Sequence, residues 1–288
     1  MKKAAIFGAT ATGRRVYEET KEKYEIVAFF DENTDLHGDE IDGIEILSPE
    51  QIQNVKPDII LVAVLSRYEK IKRMLIDQGI EEEKINTQYV DLPNRARDNF
   101  VCNLREMFAE RGKDGAVAEL GVYQGEFSKV IGEYFSENKF YLFDTFEGFP
   151  EIDADYDVKE DMSPAQGGYF SNTSSELVLS KIINAERCVV CKGYFPDTAR
   201  RFVEADDRFL FVNLDADLYQ PTKEGLSFFF QRLLPGGVIL VHDYFSAVYK
   251  GVKRAVDEFC AESKVMAVPI GDTLSIAIVK SEDYEHAS

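Results

Sequence analysis

Residues 116 to 128 read Ala-Val-Ala-Glu-Leu-Gly-Val-Tyr-Gln-Gly-Glu-Phe-Ser, an apolar run that ends in an acid, turns on glycines and opens a helix. Few folds accommodate that order. A continuous apolar run suits a strand buried on both faces, and a tight turn at its carboxyl end needs residues without side chains. The next apolar run, Phe140 to Phe143, also ends in an acid, Asp144. Strand, glycine turn, helix, strand, acid is the opening unit of a doubly wound α/β sheet, whose ligands lie across the carboxyl ends of the strands. The same order occurs near the N-terminus: Lys3 to Phe7, then Gly8 to Gly13, a helical pattern from Arg14 to Lys23, and Ile26 to Phe30 ending in Asp31. Two such openings in 288 residues predict an α/β protein of two Rossmann-like domains, a small one over residues 1–92 and a larger one over 93–288.

In the first domain the glycine fingerprint is incomplete. Thr10 stands where a middle glycine would let the backbone approach a pyrophosphate. Asp31 has the place of a ribose-binding acid. A polar hairpin-like stretch, Gly38 to Ile46, comes next, and Ser48-Pro49-Glu50 reads as a capped helix start. A buried strand, Ile59 to Val64, leads to an amphipathic helix from Arg67 to Gln78 that stops at Gly79. The pattern resembles the nucleotide-binding-like N-terminal domains attached to enzymes of bacterial polysaccharide and sugar modification. Cofactor binding and a scaffold or oligomerisation role both remain open for it.

In the second domain Pro93 to Gly112 reads as a linker leading into a helix with Phe100, Leu104 and Phe108 on one face. After Asp144, the polar stretch from Pro150 to Thr173 is long for a structureless loop in a compact domain, which marks a functional lid or a surface loop. Tyr169 and Phe170 would cover a substrate from it. Cys188 to Lys192 is a strand, and Gly193 to Thr198 a turn in which Tyr194 or Phe195 supplies a wall for an adenine ring or else joins the core. Phe209 to Leu214 is a further strand running into Asp215-Ala-Asp217. Pro235-Gly236-Gly237 turns into Val238 to Val241, which ends in His242-Asp243-Tyr244. Two strand ends therefore bring Asp215, Asp217, His242 and Asp243 to one edge, where oxygen ligands suit a divalent ion; the alternative is that some of them only cap helices.

Composition narrows the partners. A formal net charge of −19 opposes a phosphate-binding face, so nucleic acid is not expected. No stretch approaches the roughly 20 apolar residues of a membrane span. Met1-Lys2-Lys3 is followed by too short an apolar run for a signal peptide, which predicts a cytoplasmic protein. Cys188 and Cys191 have metal-site spacing, but a strand points them to opposite faces, so a structural reading is preferred. Cys102 and Cys260 stand alone.

Taken in order, Glu119-Leu-Gly-Val-Tyr-Gln-Gly125, Asp144-Thr-Phe-Glu-Gly-Phe-Pro150, Gly193-Tyr-Phe-Pro-Asp-Thr198, Leu214-Asp-Ala-Asp-Leu-Tyr219 and Pro235-Gly-Gly through His242-Asp-Tyr244 resemble the macrocin O-methyltransferase family over roughly residues 100 to 280. That resemblance implies a class I methyltransferase fold and methyl transfer from S-adenosylmethionine to a hydroxyl of a sugar or sugar-containing metabolite, with Mg²⁺ assistance. It places the cofactor at Glu119, Gly121, Tyr123, Gly125, Asp144, Thr145, Gly193, Tyr194 and Phe195. Asp144 would accept from both ribose hydroxyls, and Glu119 would lie near the ammonium and sulfonium. The metal falls to Asp215, Asp243 and His242, with Asp217 less certain, and Asp215 or His242 would take the acceptor's proton.

Two departures stand out. The family commonly has Asp where this chain has His242, which points to Mn²⁺ or to a metal-free base. It often has Arg where Gln124 stands. The partner expected is a sugar or nucleotide-sugar acceptor, with a homodimer compatible. The rival readings are a non-catalytic scaffold, a small-phenol or catechol methyltransferase, and a nicotinamide-dependent oxidoreductase.

Overall fold

The structure is a computed structural model and describes residues 1–65 and 68–282. The chain divides into two compact units, residues 1–95 and 96–288. The first contains β1 (Lys2–Phe7), α1 (Ala11–Thr20), β2 (Tyr24–Phe30), β3 (Glu40–Ile41), β4 (Ile44–Leu47), α2 (Ile52–Val55), β5 (Ile59–Val62), α3 (Tyr68–Asp77) and β6 (Ile85–Asn86). Its sheet runs β3-β4-β2-β1-β5-β6, parallel apart from the β3–β4 hairpin. Asp42 and Gly43 both have positive φ at the hairpin turn, the twist such turns need. Ser48 forms a full capping box with Gln51.

The first helix begins three residues earlier than its sequence pattern suggests, because Gly13 belongs to its opening turn rather than to the loop. A Cβ at Gly13 would overlap the carbonyl of Gly8, so the missing side chain lets the helix start close to β1. Arg67, the expected start of α3, lies outside the described residues.

The expected linker from Pro93 is not there. Residues 88–110 form one helix, α4 (Gln88–Glu110), with Pro93 inside it, and the division between the units falls within that helix. A proline removes one intrahelical N–H, leaving the carbonyl four residues back without its usual donor. Here that carbonyl belongs to Tyr89, and Arg15 Nη2 donates to it at 3.4 Å.

The second unit continues with β7 (Ala116–Leu120), α5 (Glu126–Tyr134), β8 (Phe140–Asp144), α6 (Glu151–Lys159), α7 (Ser175–Leu179), β9 (Cys188–Lys192), α8 (Asp197–Phe202), β10 (Phe209–Leu214), α9 (Tyr219–Arg232), β11 (Leu233–Val241), α10 (Lys250–Ser263), β12 (Ala267–Pro269) and β13 (Ile276–Val279). Its sheet order is β12-β13-β11-β10-β7-β8-β9. Strands β7 to β11 are parallel, and β13 pairs antiparallel with β11 and β12.

Strand order therefore reverses between β7 and β10. That switch point is where an open α/β sheet leaves a crevice for a ligand. Two apolar layers cover the sheet. One gathers Phe143, Phe195, Phe209 and Phe229; the other gathers Val101, Phe108, Ile131, Phe135 and Phe211. The stretch from 150 onward is not all loop: α6 occupies its first part and buries Asp153, Ala154 and Asp157. Acids on a helix's inner face hide it from any search for an apolar stripe.

Candidate active site

The turn after β7 is shaped by what it must avoid. Gly121 has φ +86°, and a Cβ there would overlap the Asp215 carbonyl. The gap between the β7 and β10 ends is therefore closed by backbone, Asp215 N donating to Leu120 O at 2.8 Å, while on the other side Gly121 N donates to Phe143 O of β8 at 2.9 Å. Gly125 (φ +78°) caps α5 and faces Val178 of α7, which leaves no room for a Cβ without a shift.

Asp144, at the end of β8, clamps this turn. Its Oδ2 accepts from the N–H groups of Val122 and Tyr123 at 2.8 Å each, and its Oδ1 accepts from Phe146 N–H at 2.7 Å. A carboxylate offers about four lone-pair sites, so one remains for a ribose hydroxyl rather than the pair expected. Thr145 closes its own small turn by donating to Gly148 O at 2.7 Å. Gly193 N–H donates to Asp144 O at 2.9 Å, which brings the β9 end beside that of β8.

Of the two aromatic candidates there, Tyr194 is partly exposed and donates to Asp153 at 3.0 Å. Phe195 instead packs among Phe143, Phe228 and Phe229 in the core, with no open face for an adenine ring. Glu119 is also displaced from its expected place. Its side chain is buried beneath the turn, accepting from Ser128 Oγ on one oxygen and from Asn213 Nδ2 at 3.0 Å on the other. Loss of water pushes its pKa up to about 8, against the pull of Ser128.

The ends of β10 and β11 converge. His242 Nδ1 lies 3.1 Å from Asp215 Oδ1 and 2.9 Å from Asp243 Oδ2. One ligand atom from each of these three residues falls within 4.8 Å of the others. Neighbouring ligands on an octahedral ion with bonds of about 2.1 Å sit about 3 Å apart, so the observed separations fit two carboxylate oxygens and an imidazole around one divalent ion.

Electrostatics sorts the group. Burial alone would raise Asp215, but His242 and Arg97 outweigh it and hold that carboxyl well below the usual range. Asp217 goes the other way, raised well above the usual value by burial and then by Asp243 and Asp215. Burial opposes the His242 imidazolium, yet Asp215 and Asp243 prevail over it and push the pKa up to about 10.

Three features escape a reading of the sequence. Arg97 of α4 donates through Nη2 to Asn213 Oδ1 and Asp215 Oδ2, both at 3.0 Å. It shares a helical face with Val101, Leu104 and Phe108, and an arginine on that apolar stripe is the signal that marks it. Asn213 is the one polar residue in the buried run of β10.

The third is how the stretch after α6, expected as a lid or surface loop, is fastened to the glycine turn. Tyr123 OH donates to Asn172 Oδ1 at 2.9 Å, Gln124 Nε2 to Asn172 O at 2.8 Å, and Thr173 Oγ1 to Tyr123 O. Phe170 makes edge contacts with both Tyr123 and Phe149, each at 5.1 Å between centroids, and Phe149 meets Tyr249 at 6.3 Å. A row of rings thus runs from the glycine turn to the start of α10.

Comparison with known proteins agrees with this geometry. Residues 1–86 match the family described as C2185-like, N-terminal, and residues 67–276 match Macrocin-O-methyltransferase (TylF). A protein of Streptomyces olivaceus named 8-demethyl-8-(2,3-dimethoxy-alpha-L-rhamnosyl)-tetracenomycin-C 4'-O-methyltransferase is 27% identical over 159 residues, which are 51% of this chain and 59% of that one. Among solved structures, the calicheamicin methyltransferase CalS11 aligns with TM-score 0.54 at 19% identity over 73% of this chain and 90% of its own. The O-methyltransferase NovP aligns with TM-score 0.51 at 19% identity over 65% and 80%. The family match over residues 67–276 takes in every strand whose end contributes to the site, and on that breadth the chain belongs to the macrocin-O-methyltransferase family.

Proposed function

We propose that this chain is an S-adenosylmethionine-dependent O-methyltransferase acting on a hydroxyl of a sugar or sugar-containing metabolite, with a divalent ion at Asp215, His242 and Asp243. The observation that carries the reading is the juxtaposition at the switch point. A glycine turn clamped by Asp144 lies directly across from a histidine and three acids at the neighbouring strand ends. The acceptor class is supported by the Streptomyces olivaceus relative, whose name describes methylation on a rhamnosyl unit.

When bound, a divalent ion, Mg²⁺ or Mn²⁺, supplies Lewis acidity that lowers the pKa of an acceptor hydroxyl. The chain's own residues do the rest. Asp144 and the turn it holds fix the nucleoside end of the cofactor, and Tyr194 offers an exposed ring for the adenine. Phe170 and its neighbours exclude water above the reacting atoms. Of the acids, Asp215 has one oxygen taken by Arg97 and turns the other toward His242 and the ion's place, so it is a poor proton acceptor. Asp217 is the more basic carboxylate, and a cation in the cluster is what lets it ionise. It replaces Asp215 and His242 as the general base in this reading. The displacement itself is in line, with the acceptor oxygen attacking methyl carbon as sulfur leaves, and its rate depends chiefly on alignment.

The test pairs calorimetric titration of S-adenosylhomocysteine with a methyl-transfer assay against rhamnosides and nucleotide-linked deoxysugars. Expected are micromolar binding, turnover that stops in chelator and returns with Mg²⁺ or Mn²⁺, and a loss of about 10²-fold or more in kcat for Asp217→Asn with cofactor affinity kept. Absence of cofactor binding with or without metal would remove the reading.

A further inference from the structure

We propose that Arg97 is a positioning residue that fixes the charge and the denticity of the acidic cluster, leaving Asp215 a single oxygen turned to the metal so that one divalent ion binds with room for the acceptor. The proposal rests on the metal-assisted reading above and deepens it. Arg97 stands at the switch point between β7 and β10 and is held from three directions. Its Nη2 bonds Asn213 Oδ1 and Asp215 Oδ2, and its guanidinium carbon sits over the Phe127 ring, 3.8 Å from the centroid. Asn213 is itself pinned by Glu119, and Glu119 by Ser128. Only 12% of its side chain is exposed. An arginine so enclosed cannot swing away when a ligand arrives.

Two consequences follow from elementary coordination chemistry. With Oδ2 taken by Arg97, Asp215 presents Oδ1 alone toward His242 and Asp243. An octahedral ion held by three protein atoms keeps three positions for oxygens from outside; a bidentate Asp215 would consume one of them. Charge is the second consequence. Asp215, Asp217 and Asp243 crowd one pocket; with His242 neutral, as a metal ligand must be, the fixed guanidinium offsets one of the three, leaving what a single divalent ion neutralises. A positive charge so near the ion also weakens its hold, which keeps the ion exchangeable.

Mn²⁺ affinity by paramagnetic resonance, and bound-water count by water-proton relaxation, are measured on the full chain as wild type, Arg97→Met, Arg97→Gln and Arg97→Lys. Expected for the two neutral variants is Mn²⁺ binding at least tenfold tighter, with fewer exchangeable waters. Arg97→Lys, which keeps the charge, should stay within about threefold of wild type. Acceptor KM should rise in the neutral variants while S-adenosylhomocysteine affinity, which also reports intact folding, holds. Unchanged or weaker Mn²⁺ binding in whichever neutral variant folds, with the water count of wild type, overturns the role of Arg97. A wild type that takes up no Mn²⁺ overturns the metal reading, and this proposal with it.

Discussion

Glu119 shows how one side chain ties stability to pH. It is buried and 1% exposed, and desolvation lifts its pKa from 4.5 to about 8. The folded state therefore binds a proton that the unfolded chain releases at lower pH. Its stabilising effect is complete below about pH 4.5 and is lost as pH rises through about 8, up to about 5 kcal/mol. Glu119→Gln retains both bonds, its carbonyl accepting from Asn213 and its amide donating to Ser128. Urea unfolding from about pH 5.5 to about pH 9 should show the variant level with wild type at the acid end and more stable at the alkaline end. Parallel curves would mean that Glu119 titrates normally. The same residue marks the limit of what the sequence discloses. Strand-end position alone singled out Asp215, His242 and Asp243, because a parallel sheet brings successive carboxyl ends to one edge. Whether Glu119 points into the crevice or beneath it depends on partners from two other elements, Ser128 of α5 and Asn213 of β10, the second 94 residues away, which no pattern around Glu119 specifies.

At the scale of elements, the ends of helices depend on distant donors. The last carbonyls of α9 have no intrahelical partner, and Lys280, just past β13, is 7% exposed and donates to Phe230 O at 3.1 Å and Leu233 O at 3.0 Å. A cation is well placed at a helix C-terminus. Lys280→Met keeps the stem and removes the donors, which should cost about 1–3 kcal/mol, read as a lower urea midpoint at unchanged slope. No change in midpoint would mean that water replaces the ammonium without loss. Elements with ordinary amphipathic or apolar patterns, β7 to β11 among them, were legible beforehand. Two were not. Pro93 disguised α4, whose displaced Tyr89 carbonyl takes a bond from Arg15, and Asp153 and Asp157 disguised α6 by facing inward.

Across the whole molecule, each unit has its own sheet and its own apolar clusters. Phe7, Phe30, Val62 and Leu75 gather in one cluster of the first unit, and Ile6, Val16 and Phe29 in another. The large clusters of the second draw only on residues from Phe100 onward. The cofactor site proposed at the ends of β7 to β11 would couple ligand binding to the second core. Calorimetry should therefore resolve two unfolding transitions, and S-adenosylhomocysteine should raise only one. At a thousand times Kd the ligand adds about 4.1 kcal/mol to the state that binds it, which for a domain of this size moves the midpoint by roughly 10 °C. Asp144→Ala, which frees the turn after β7, should abolish that shift while leaving the other transition where it was. If both transitions move together with ligand, or merge into one whose calorimetric and van't Hoff enthalpies agree, the two cores unfold as a single cooperative unit, and the N-terminal unit then shares energetically in cofactor binding.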